Sequence, residues 1–138
     1  APILSFTTEE IFTLISKDKK SIHLEKFMEF PKSFENEKLN KKWIELKKIR
    51  DVCNISIEAK RVSKEIGSSL EANLIINLNE KLLKITENTN FSELCITSEA
   101  KIEKTELEQV SAVTTKAEGK KCPVCWKINK TGCERHPV

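Results

Sequence analysis

Apolar positions change their spacing several times along the chain, and each change predicts an element. In "SFTTEEIFTLI" Ile11, Phe12 and Ile15 supply an apolar face. Thr7 or Thr8 stands where a helix cap belongs, and Glu9 and Glu10 follow where a first turn favours negative charge. This predicts a short helix, the end of a bundle helix. The stretch "SKDKKSIHLEKFMEFPKSF" has no sustained period and contains Pro31, so it reads as a connector, with His23 an exposed or packing side chain.

From about residue 36 to 66 the apolar residues Leu39, Trp43, Leu46, Ile49, Cys53, Ile57, Val62 and Ile66 recur three to five positions apart. That is the mark of one long amphipathic helix of roughly 45 Å, with Gly67 as its C-terminal cap. Its stripe needs cover, and partner helices preceding the chain are the expected source. After Gly67 the period drops to two: Leu70, Ala72, Leu74, Ile76 and Leu78 alternate with more polar positions, predicting a strand buried on one face. Asn79 then caps a short helix through Leu82, Leu83 and Ile85, and "ELCIT" and "LEQVSAVTTKA" read as two further strands. The expected fold class is therefore mainly α with a small α+β segment. It has the end of a helical bundle at 1–67, a β-α-β-β junction unit at 68–118 and a metal-stapled finger at 119–138.

Composition narrows the function. Hydrophobic residues make up 38% and charged residues 33%, and the net charge is +3. There is no bilayer-length apolar run and no signal peptide, so a soluble cytoplasmic protein without a membrane partner is expected. The chain starts "APILSF" with no initiator methionine, as a piece of a longer protein would. Basic segments, one including Arg61 and Lys64 and one from Lys116 onward, flank an acidic middle stretch. A solvated surface is one reading of that segregation; a polyanion-binding face such as RNA meets is the other.

In a reducing compartment five cysteines argue for metal binding rather than a disulfide framework. Cys53 and Cys95 sit in apolar patterns and read as small buried hydrophobes. Cys122, Cys125, Cys133 and His136 form C-x2-C-x7-C-x2-H, two matched pairs suited to the corners of a tetrahedral zinc site. Four protein ligands leave no open position, so such a zinc is structural. Without His136, water or an outside residue would complete the shell. Trp126 follows a ligand and lies among Lys120, Lys121, Lys127, Lys130 and Arg135. It either packs over the metal or stacks on an unpaired base while the cations meet phosphates.

"APILSFTTEEIF", "WIELKKIRDVCNISIEAKRVSKEIGSSLEA" and "KAEGKKCPVCWK" together resemble the C-terminal end of bacterial isoleucyl-tRNA synthetases. The likeness covers nearly the whole chain in the same order. It implies the end of an anticodon-binding helical domain followed by a terminal zinc module. The partners it implies are isoleucine tRNA and upstream catalytic, editing and helical domains of the same chain, in a monomer. It also implies a parent that uses ATP and Mg2+ to attach isoleucine to tRNA and edits valine; no catalytic residue is expected here, because His-x-Gly-His and Lys-Met-Ser-Lys-Ser are absent. Cys122, Cys125, Cys133 and Trp126 match the family's positions. The seven-residue spacer is shorter than the family's usual loop, and His136 stands where the family usually has cysteine. A free-standing zinc module binding nucleic acid or a protein is the competing expectation. A Cys-x-x-Cys oxidoreductase is disfavoured, because Cys122 follows a basic strand end rather than opening a helix.

Overall fold

A computed structural model describes residues 3–17, 20–133 and 135–136. It divides into two compact units, Ala1–Asn36 and Glu37–Val138.

In the first unit helix α1 spans Ser5–Ile15 and starts earlier than expected. Leu4 occupies the cap position without a side-chain bond, and the Thr8 hydroxyl donates back to the carbonyls of Leu4 (2.7 Å) and Ser5 (3.1 Å). Neither threonine caps, and no acidic residue lies in the first turn. Glu9 does different work. Its Oε2 accepts from the Ser21 hydroxyl (3.0 Å) and the Ile22 N–H (2.9 Å), folding the connector back onto α1. The connector contains single 3-10 turns at Ile22–Leu24 and Lys32–Phe34; its residues 18 and 19 lie outside the described set. So small a unit cannot enclose a core: no α1 residue is buried, and Ile3, Phe6, Leu14, Phe27 and Phe30 are all exposed.

In the second unit helix α2 spans Glu37–Val62, about 39 Å at 1.5 Å per residue. The C-terminal cap is not Gly67. Lys64 takes the left-handed conformation (φ 59°), the Lys64 N–H donates to the Arg61 carbonyl, and the Glu65 N–H donates to the Lys60 carbonyl, the paired bonds of a Schellman turn. Gly67 instead donates its N–H to Glu71 Oε2 (2.9 Å).

Three strands follow: β1 at Ala72–Leu78, β2 at Glu99–Lys104 and β3 at Ser111–Lys116. The central β1 pairs parallel with β2 and antiparallel with β3, with Leu74 opposite Ala100 on one side and Thr114 on the other. The parallel crossover runs through helices α3 (Glu80–Ile85) and α4 (Phe91–Leu94). Asn79 caps α3 as expected, its side chain accepting from the Leu82 N–H. "ELCIT" is not a strand. Glu93 and Leu94 end α4, whose first N–H groups are satisfied by Asn90, and Ile96 turns the chain at φ 56° before β2 begins.

Within this chain the sheet covers most of the stripe of α2, with α3 and α4 adding side chains at its edge. Leu46, Ile49, Cys53 and Ile57 join Ala72, Leu74, Ile76, Leu78, Phe91 and Cys95 in one buried cluster. Ser56 reaches Thr114 of β3 at 2.8 Å between hydroxyls, fixing helix to sheet at a polar point. Leu39, Trp43 and Val62 stay exposed, so the buried stripe is shorter than the apolar pattern. Cys53 and Cys95 are buried as expected, and the neighbouring Cys95 together with burial pushes the Cys53 thiol up.

Candidate metal centre and nucleic-acid interface

The segment expected to form the finger holds a two-stranded hairpin, one turn joining its strands and a second turn beyond it. Strand β4 (Lys120–Lys121) pairs antiparallel with β5 (Ile128–Asn129). Gly119 allows this pairing: its φ is 129°, and a Cβ there would lie 2.3 Å from the Asn129 carbonyl oxygen. Between the strands, the Cys122 N–H donates to the Lys127 carbonyl (2.9 Å) and the Trp126 N–H donates to the Cys122 carbonyl (3.0 Å). These bonds curl the chain so that Cys122 and Cys125 face one point, and Trp126 takes φ 65° to leave the turn. The second turn closes with the His136 N–H on the Cys133 carbonyl at 3.3 Å.

Four ligand atoms converge there. Those of Cys122, Cys125, Cys133 and His136 all lie within 4.8 Å of one another. The Sγ atoms of Cys125 and Cys133 are 3.5 Å apart, and His136 Nδ1 is 3.6 Å from Cys122 Sγ and 3.4 Å from Cys133 Sγ. A tetrahedron with metal–sulfur bonds of about 2.3 Å and a metal–nitrogen bond of about 2.0 Å has edges of roughly 3.5–3.8 Å. The donor set therefore fits a tetrahedral metal, with Nδ1 the imidazole atom turned inward. The backbone N–H of Cys125, helped by that of Val124 and by the thiols of Cys125 and Cys133, brings the Cys122 thiol down to about 6, toward the thiolate a metal requires.

Trp126 is 59% exposed. The Lys121 ammonium lies 5.9 Å from its ring centroid, within cation–π range, so one neighbour is a cation and much of the ring is open.

Residues 1–76, from α1 into β1, match the family model described as the anticodon-binding domain of tRNA ligase. The chain belongs to that family. Over 136 residues it is 70% identical to an isoleucine-tRNA ligase of Pelagibacter ubique, a match covering 99% of this chain and 15% of that protein. Similar matches are 37% identical to the isoleucine-tRNA ligase of Agrobacterium fabrum (93% of this chain, 14% of that protein) and 38% identical to that of Methylacidiphilum infernorum (94% and 14%). The chain thus spans about 15% of the length of the first of these relatives and 14% of the other two.

In this member of the family the cations singled out in the sequence do not form one equivalent set. Lys120 is exposed and makes no ion pair among the described residues. Lys121 faces Trp126 and comes no closer than 4.0 Å to Glu71. Lys130 pairs with Glu118 at 2.9 Å in an exposed contact of the kind worth little. Lys127 and Arg135 both turn to Glu93, at 2.6 and 3.2 Å. Arg61 pairs with Glu58 (2.6 Å) at the end of α2, where Arg61 and Lys64 line an open depression with Val62, Ile66 and Gly67. Sequence reasoning missed Glu93 and Ser98. The Ser98 hydroxyl donates to the Leu70 carbonyl (2.5 Å) and accepts from the Ile128 N–H (2.6 Å), tying β5 of the finger to the sheet. A signal for the first lay in Asn90-Phe-Ser-Glu93, the spacing of a helix start.

Proposed function

We propose that this chain is the tRNA-binding, C-terminal portion of an isoleucyl-tRNA synthetase. The observation that carries the reading is 70% identity over 99% of the chain to a protein named isoleucine-tRNA ligase. Isoleucine activation with ATP and Mg2+, transfer and valine editing are the work of the parent's other domains, in the cytoplasm. The exposed Ile3, Phe6, Leu14, Phe27 and Phe30 are the surface those domains cover, which accords with a unit too small to bury them itself.

The segments divide by role: 1–67 ends the helical part beside the anticodon stem, 68–118 is the junction, and 119–138 is the finger that meets the anticodon loop. Zinc is the metal, held by Cys122, Cys125, Cys133 and His136, because three thiolates and an imidazole at tetrahedral spacing suit it best. It supplies shape and no reaction. Trp126 stacks on an unpaired base, Lys120, Lys121 and Lys130 sit near phosphates, and Arg61 and Lys64 meet the backbone further along.

Titrating the chain with isoleucine tRNA and with a tRNA of different anticodon, with zinc bound and after stripping, tests this reading. Cognate preference that disappears with the metal is expected, and Trp126→Ala is expected to cost roughly 1–3 kcal/mol of cognate binding. Equal, metal-independent binding of both tRNAs would reduce the basic segments to a general polyanion surface and favour a free-standing zinc module.

A further inference from the structure

One carboxylate grips both turns of the finger. Glu93 Oε1 accepts from Lys127 Nζ at 2.6 Å and from Arg135 Nη2 at 3.2 Å. Lys127 is the residue after Trp126 in the first turn, and Arg135 precedes His136 in the second. The Lys127 side chain is only 18% exposed and also reaches the Ser92 hydroxyl at 3.4 Å, whereas the Lys130–Glu118 pair stands 75% and 76% exposed. Lys127 first, and Arg135 less strongly, hold the Glu93 carboxyl below the usual carboxylate range.

The helix carrying Glu93 is itself fixed. Asn90 accepts from the N–H groups of Ser92 and Glu93 (3.0 and 3.3 Å), and Phe91 and Cys95 lie in the core cluster. A rigid path therefore runs from core through α4 and Glu93 to the backbone that places Trp126. A second tie, the Ile128 N–H on the Ser98 hydroxyl, holds the very next residue of the hairpin to the segment that leads into β2.

We propose that Glu93 is a positioning residue for tRNA binding: it anchors the metal finger to the core chiefly through the largely buried Lys127, which is thereby withdrawn from phosphate contact, with the 62% exposed Arg135 a weaker second contact, and the phosphate role falls first to Lys120, Lys121 and Lys130. The proposal rests on the tRNA-binding reading above. It opposes the simpler view in which every cation around Trp126 meets RNA.

The two views give Glu93→Gln opposite signs. If Lys127 and Arg135 are phosphate ligands restrained by Glu93, freeing them tightens binding. If they are anchors, the finger loosens and binding weakens although a negative charge has been removed. The experiment titrates zinc-loaded wild type, Glu93→Gln, Lys127→Gln, their double variant and Lys120→Gln with isoleucine tRNA across a salt series. In parallel, the 15N heteronuclear NOE of the Trp126 indole N–H and the methyl spectrum are recorded without RNA.

Glu93→Gln and Lys127→Gln are each expected to weaken binding about five- to tenfold, a factor suited to losing a charge-assisted hydrogen bond, with the double variant no worse than either. Their salt slopes should equal that of wild type, whereas Lys120→Gln should flatten the slope by roughly 0.7–0.9, the change for one lost phosphate contact. The Trp126 indole NOE should fall in Glu93→Gln while unshifted methyl signals of the buried Ile49 and Leu74 report an intact core. Tighter binding by Glu93→Gln, a flattened slope for Lys127→Gln, or an unmoved Trp126 NOE would overturn the proposal. If wild type binds no tRNA, the tRNA-binding reading fails by itself, and the NOE still decides whether Glu93 anchors the finger.

Discussion

Cys125 Sγ lies 3.5 Å from Cys133 Sγ, eight residues further along and on the other turn. A metal bound as proposed would sit between these two sulfurs and join the hairpin turn to the second turn. Removing zinc with a chelator is expected to collapse the dispersed amide signals of residues 120–136 while those of α2 and β1–β3 persist. Uniform loss of dispersion would mean that the finger also supports the core.

Substitution of Gly119 separates space from backbone strain. Gly119→Ala places a Cβ against the Asn129 carbonyl, whereas Gly132 has φ 93° but nothing within 4 Å of an added Cβ. Gly132→Ala should therefore cost only about 1 kcal/mol of conformational strain, and Gly119→Ala clearly more. Competition against a chromogenic zinc chelator reads both as reduced metal affinity, with Gly119→Ala the weaker binder.

The helix-on-sheet core predicts a sharp contrast on one helix. Ile49 is 1% exposed and Ile55 72% exposed. Ile49→Ala should destabilise the second unit by about 2–5 kcal/mol in urea unfolding, and Ile55→Ala by less than about 0.5 kcal/mol.

Glu93 also has a pH signature. Its carboxyl is held below the ordinary range by Lys127, so the contact stabilises the fold above the usual carboxylate pKa and is lost as pH falls through the depressed value. A carbon-13 titration should find the Glu93 midpoint below those of exposed glutamates, and Lys127→Gln should return it upward. A midpoint unaffected by Lys127→Gln would leave the ion pair without thermodynamic weight.

Asn90 completes that arrangement from the other side. Its side-chain oxygen satisfies two N–H groups at the start of α4. Asn90→Ala should cost about 1 kcal/mol of stability and lower the protection of the Ser92 and Glu93 amides in hydrogen exchange.

What could be read from the residues was what depends on near neighbours. The alternation through Leu74, Ile76 and Leu78, the Asn79 cap and the paired Cys-x-x-Cys and Cys-x-x-His spacings each express geometry within a few positions. Strand β2 escaped because so little of it is covered: in Glu99–Lys104 only Ala100 is even partly buried, so there is little alternation to detect, whereas β3, the other edge, buries Thr114. The apolar stripe of α2 announced that something covers it, but a stripe has no marker distinguishing a sheet from a helix. Lys127 and Arg135 looked like free cations because Glu93 stands 34 and 42 residues away, and no local pattern joins them.

All four candidate ligands fall between Cys122 and His136, whereas the core joins α2 to strands far along the chain. Closing the short loop costs little entropy, so metal capture does not wait for the sheet to assemble. With a metal held there, the finger needs only that loop to close, whereas its fastening to Glu93 needs α4 seated against the core as well.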